Sequence, residues 1–151
     1  MADADIMPLM LWHNVRMSQA VAIPALEAPL FQFDCTAVEK GIPLSALEEF
    51  SAYSGFALKD VIEVVIPPRT LKHRRQRNEP LNVDESDRLA RVARLYDLGV
   101  QVFGNPEKAR RWLSKPKRQF DERTPLTMMR TEVGGRGVEE MLIQIDEGMF
   151  A

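Results

Sequence analysis

Between Ala57 and Val65 the apolar residues Leu58, Val61, Ile62 and Val65 fall at i, i+3, i+4 and i+7, while Lys59, Asp60 and Glu63 take the opposite side. That spacing is the period of a helix with one buried face. Three of the four are β-branched, which leaves a strand reading open beside the helical one. The pattern breaks at Ile66-Pro67, because each proline of the Pro67-Pro68 pair pushes the residue before it out of the α region. Pro68 can stand at the first position of a new helix, PRTLKHRRQR, with Leu71 as its clearest apolar anchor and Asn78 and Pro80 ending it. The order helix, tight turn, basic helix is that of a helix-turn-helix.

The pattern extends in both directions. Asp34 or Thr36 can cap a short helical turn that stops at Gly41. Pro43 opens the first turn of the next helix, which runs to about Tyr53 with Leu44, Leu47 and Phe50 inward, and Gly55 ends it. Beyond the basic helix, Asp84 is taken as the cap of a long helix to about Phe103. Leu89, Val92, Tyr96, Val100 and Phe103 make its apolar stripe, and Leu95, Leu98 and Val102 widen it enough to touch more than one neighbour. Asn105-Pro106-Glu107 starts a helix with Ala109, Trp112 and Leu113 inward, and Lys115-Pro116 ends it. Thr124-Pro125 starts another with Leu126, Met128 and Met129. Thr131 to Gly135 reads as a break, and the last helix as about Gly137 to Glu147 with Val138, Met141, Leu142 and Ile145 on one face. The fold class is all-α.

Residues 1–33 are irregular, interrupted by Pro8, Pro24 and Pro29. Met7, Leu9, Met10, Leu11, Trp12, Leu30, Phe31 and Phe33 are nevertheless too apolar for a disordered tail and are expected to pack on the body or on a second subunit. The start lacks the basic region of a signal peptide, and no stretch is long enough for a membrane span, so a cytoplasmic protein without membrane contact is expected. The single cysteine, Cys35, excludes an internal disulfide and reads as a small buried side chain.

Charge sharpens the picture. The net charge is −2, yet residues 69–77 carry five bases and no acid, and residues 105–123 carry seven bases against three acids. Two basic islands in an acidic chain suggest separate surfaces for separate partners. In the first, Arg69, Thr70 and Lys72 stand where a recognition helix meets base edges, and His73, Arg74, Arg75 and Arg77 suit phosphates. A solvated helix face is the other reading, and the preceding amphipathic helix and turn favour DNA. The second island reads as exposed charge or as a surface for an acidic protein.

No catalytic constellation emerges. Gly134-Gly135-Arg136-Gly137 lacks the features of a phosphate loop, and His13 and His73 lack metal-ligand spacing, so no enzyme, cofactor or metal is expected. The tail ends apolar, on Gly148-Met149-Phe150-Ala151. It can pack on its own domain or fill a partner's pocket.

Arg123-Thr124-Pro125-Leu126, Met128 to Gly134, Val138 to Leu142 and Ile145 to Phe150 together resemble the C-terminal toxin-binding domain of the Xre/MbcA/ParS antitoxins. Val102 to Ala109 and Trp112-Leu113 are also similar to that family, and the region around Arg69-Thr70-Leu71 resembles its helix-turn-helix. The likeness covers about residues 40–151, with Val65 and Pro67 where the family's turn carries glycine and a serine-like cap. Residues 1–33 lie outside it, as an N-terminal segment for packing or dimerisation; the resemblance implies an Xre-like helix-turn-helix domain for DNA and dimerisation (34–103) joined by the long helix to a small helical toxin-binding domain (104–151). It implies an antitoxin whose partner is a RES-domain, NAD-depleting toxin, whose tail (Glu147, Gly148, Met149, Phe150 and Ala151) enters or covers the toxin's active site, and which represses its own operon as a homodimer within a larger complex. A stand-alone regulator whose C-terminal half only dimerises is the alternative.

Overall fold

In the computed structural model, which describes residues 31–149, helix boundaries fall largely where proline, glycine and asparagine stand. Eight α-helices are present among the described residues: α1 (Cys35–Lys40), α2 (Ser45–Ser54), α3 (Leu58–Val65), α4 (Pro68–Arg77), α5 (Val83–Phe103), α6 (Pro106–Ser114), α7 (Pro125–Met128) and α8 (Glu132–Asp146). A 3₁₀ turn at Arg118–Phe120 lies between α6 and α7. The only β pairing among these residues is one isolated bridge between Lys117 and Arg123, so the chain is all-α.

The open choice at residues 57–65 resolves as helix. Val61, Val64 and Val65 are buried and Ile62 half-buried, so packing overrides the β-branched propensity. Ile66 and Pro67 then run extended, at φ −147° and −56°, and no residue of the turn needs a positive φ. This is how Val65 stands in place of glycine: the chain turns through two extended residues, with Ile66 pressed into the core.

The long helix α5 is the axis of the molecule. Leu89, Val92, Ala93, Leu95 and Tyr96 are buried along it, and it packs against α1, α2, α3, α6 and α8. On the helix-turn-helix side, Phe50, Phe56 and Tyr96 meet edge to face or tilted at centroid distances of 5.7–6.3 Å, a geometry that suits their quadrupoles. Phe31 stacks on Tyr53 at 5.2 Å, so this end of the apolar N-terminal stretch does pack on the body. The rest of that stretch, residues 1–30, lies outside the described residues.

Four sequence readings are corrected. Asp84 does not cap α5; Asn82 does, its side chain accepting from Glu85 N–H at 2.8 Å while Glu85 accepts from Asn82 N–H at 2.8 Å. The reciprocal bonds of this capping box satisfy two free donors, which a lone aspartate cannot. Pro43 precedes α2 rather than opening its first turn; the residue before it, Ile42, is buried, its N–H donating to Ser86 Oγ and its carbonyl accepting from the Leu81 N–H. Cys35 is exposed, since α1 buries none of its residues; its Sγ lies 3.4 Å from Glu39, whose hydrogen bond and charge push the thiol pKa up. Finally, Gly134 and Gly135 do not break the chain. α8 runs unbroken from Glu132, capped by Thr131, and both glycines are buried inside it because α5 and α7 approach too closely for a side chain.

Candidate DNA-facing and partner-facing surfaces

α4 is held by its inner side. Leu71 is buried, while Arg69, Lys72, His73, Gln76 and Arg77 are exposed on the outer side of the helix, with Thr70 half-buried at its edge. Gln76 was not singled out in the sequence, although it lies three residues after His73 and seven after Arg69, one helical phase that could have marked it.

The other two arginines are occupied within the fold. Arg74 is partly buried and pairs with Glu79 at 3.3 Å and with Glu85, which is buried, at 3.4 Å. Its Nε faces the Glu85 carboxylate without the alignment of a hydrogen bond. Arg75 reaches Glu48 of α2 at 3.4 Å on the surface. Arg88 of α5 donates to the Val65 carbonyl at 3.3 Å, placing a cation at the C-terminal end of α3 where the helix dipole favours one. These contacts set the angle of α4, and the outer face is left for a partner.

The far half of α5 carries the second module. Arg91 reaches across to it: its guanidinium donates to the Met129 carbonyl at 3.1 Å and pairs with Asp87 and Glu132. Arg94 pairs with Glu139 at 2.6 Å. Arg136 hydrogen-bonds Glu132 and, with Arg91 nearby, holds that carboxyl below its ordinary pKa. Trp112 packs on Phe103 and under the Lys117 ammonium, whose pKa is lowered by burial and by Lys115.

Between the modules sits Asp97, buried on α5. Tyr53 OH donates to its Oδ1 at 2.9 Å, and Oδ2 has no hydrogen-bond partner among the described residues. Burial pushes its pKa up to about 6, against the lowering effect of the Tyr53 bond. Neighbouring Tyr96 is pushed up to about 12 by burial and by the Asp97 charge. Among the described residues no cluster of His, Cys, Asp and Glu could hold a metal ion, and no helix is long and apolar enough to cross a membrane.

The C-terminal end of α8 closes with a Schellman turn. Gly148 takes φ +74°, its N–H donates to Ile145 O and the Met149 N–H donates to Gln144 O, both at 3.0 Å. Glu147, Gly148 and Met149 are exposed, with Met149 65% accessible; Phe150 and Ala151 lie outside the described residues. Of the four large hydrophobic residues exposed among the described residues, Ile143 and Met149 lie in the last turn of α8 and its cap, Val133 in its first turn and Val83 at the start of α5.

A buried amphipathic helix, an extended turn and a basic helix held by its inner face define a helix-turn-helix protein, here followed by a second all-helical module. The sequence matches the antitoxin Xre-like helix-turn-helix domain over residues 36–94 and the antitoxin Xre/MbcA/ParS C-terminal toxin-binding domain over residues 98–148, and the chain belongs to this antitoxin family. It is 55% identical over 84 residues to Antitoxin Xre of Pseudomonas putida, a match spanning 56% of this chain and about half (53%) of that relative. It is 29% identical to Antitoxin Xre of Photorhabdus laumondii and 26% to that of Yersinia enterocolitica, each over 76% of this chain and 78% of the relative.

Proposed function

We propose that this protein neutralises a RES-domain, NAD-depleting toxin by covering its active site with the C-terminal module and tail, and that it represses its own operon through α4. The reading is that of a non-enzymatic cytoplasmic protein acting as a homodimer within a larger toxin–antitoxin complex. Residues 34–103 serve DNA and dimerisation, and residues 104–151 serve the toxin. The observation that carries it is the exposed apolar end of the toxin-binding domain: Ile143 and Met149 stand exposed on the last turn of α8 and its cap. An apolar side chain on a rigid helix end, followed in sequence by Phe150, suits insertion into an enzyme pocket, where desolvation of a few residues supplies most of the affinity.

The test is co-expression with the product of the neighbouring gene. Co-purification, with NAD loss suppressed by the full chain and restored when Asp146 to Ala151 are deleted, is the expected result. Full inhibition by the folded truncated protein would remove the tail from the mechanism. A neighbouring product that neither co-purifies nor consumes NAD would remove the RES partner.

A further inference from the structure

The second basic island touches the helix-turn-helix. Arg110 of α6 donates to the Gly55 carbonyl at 3.1 Å, just ahead of α3, and its side chain lies over Gly55. Arg110 and Arg111 line an open cavity of about 250 Å³ with Gly55, Phe56, Ala57, Asp60 and Ser114. Glu107 is 3.8 Å from each guanidinium, too far for a tight pair, and Arg111 remains 64% exposed. Lys59 is exposed on the first turn of α3, whose cap residue Ala57 offers no side-chain acceptor.

We infer that Arg111, braced beside Arg110, binds the phosphate backbone of the same duplex that α4 faces, so that the DNA surface spans both modules. The inference rests on the proposed DNA reading and extends it to residues of the toxin-binding domain. In a helix-turn-helix the second helix enters the major groove while the first crosses the backbone. The eight residues of α3 span about 12 Å, close to the width of the major groove. With the amino end of α4 in the groove, the amino end of α3 and the two arginines reach the strand at its lip. Arginine forks suit phosphate oxygens, and the uncapped N–H groups of α3 add to the same field. The opposing charges are Asp60, which lines the cavity, and Glu107, a single carboxylate shared at 3.8 Å by both guanidiniums, so the pair of arginines keeps a net positive charge beside it. A toxin engaging this module then acts on a domain that also holds DNA, which gives toxin occupancy a direct route to operator affinity.

The experiment is a salt titration of the full chain on duplex DNA from its own upstream region. The proteins are wild type, Arg111→Ala, Arg111→Glu and Arg69→Ala/Lys72→Ala, each checked for an unchanged melting transition. Arg111→Ala is expected to weaken binding about 3- to 10-fold at 0.1 M salt and to lower the salt slope by about 1, the share of one phosphate. Arg111→Glu should weaken it further. Unchanged affinity and slope in both Arg111 variants, with binding lost in Arg69→Ala/Lys72→Ala, overturns the inference and keeps the DNA reading. Failure of the wild type to bind overturns both.

Discussion

Gly135 lies beneath the side chain of Arg91: a Cβ on Gly135 would come within 2.7 Å of Arg91 Cδ, while Arg91 itself holds Asp87, Glu132 and the Met129 carbonyl. One turn of helix therefore decides how closely α8 approaches α5. Helix propensity alone says that Gly→Ala stabilises by roughly 1 kcal/mol at any of the three glycines of α8. The structure reverses that sign at two of them. At Gly134 a Cβ would run into the Met128 carbonyl oxygen, a backbone atom that cannot step aside, whereas at Gly137 it would make an ordinary 3.6 Å contact with Phe120. Gly134→Ala is expected to destabilise by about 2 kcal/mol or more and Gly137→Ala to stabilise by about 0.5–1 kcal/mol. Gly135→Ala should be destabilising and relieved by Arg91→Ala in the same chain. Denaturant midpoints of the four proteins decide it, and equal effects at Gly134 and Gly137 would refute the close approach.

Arg74 and Glu85 make a second separable pair. Glu85 closes the capping box of α5 and receives Arg74 of α4, so its loss removes a cap and leaves a partly buried cation with Glu79 as its remaining partner. Glu85→Ala is expected to cost about 2–4 kcal/mol, and Glu85→Gln less because the amide still caps Asn82. Arg74→Ala should lower stability, while Arg69→Ala leaves the melting temperature within about 1 °C because Arg69 is exposed. Thermal melts of the four variants separate the cation that positions α4 from the one that faces outward.

These contrasts mark what a single sequence carries. Helices bounded by Pro68, Asn105-Pro106 and Thr124-Pro125 were legible because proline and its cap act locally. The outward face of α4 was legible because Leu71 is the only strongly apolar residue in that basic run. Gly134 and Gly135 were misread because their reason is tertiary: a local rule sees two helix breakers, and only the approach of Met128 and Arg91 explains them. The occupation of Arg74 was hidden for the same cause, since Glu85 lies in the next helix. The misplacement of the α5 cap was avoidable, because Asn82 followed by Glu85 already satisfies the spacing of a capping box.

Asp97 gives the protein a pH signature. Its folded pKa, about 6, stands above the ordinary value of 3.8, so the folded state binds a proton more readily than the unfolded chain. The group therefore subtracts stability above pH 6, and the loss is relieved as pH falls from about 7 to 4, by at most about 3 kcal/mol. Tyr53 donates to it, Arg110 lowers the neighbouring Tyr96, and Arg94 and Glu139 line the adjoining cavity. Glu132, held below its ordinary value, acts in the opposite sense only at lower pH. Asp97→Asn keeps an acceptor for Tyr53 and removes the charge. It should raise the melting temperature at pH 8 and lose that advantage by pH 4.5. An advantage of equal size at both pH values would show that ionisation of Asp97 is not its source.

The last turn of α8 links stability to the partner. Gly148 has open space around its Cα, so a side chain there meets no clash, yet its φ of +74° is one that L-residues rarely adopt. Gly148→Ala should cost about 1 kcal/mol in the terminal turn alone, because only the two capping bonds to Gln144 and Ile145 depend on it. The helix end then frays, and Met149 loses its fixed direction. Under the proposed function the consequence is unequal: the global melting temperature moves by less than about 2 °C, while affinity for the toxin falls about 3- to 10-fold as the ordering cost shifts onto binding. Gly148→Asn, which tolerates the left-handed conformation better, should recover part of the affinity. Calorimetric titration of the toxin with the three proteins measures it, and equal affinities would mean that the tail binds without help from its cap.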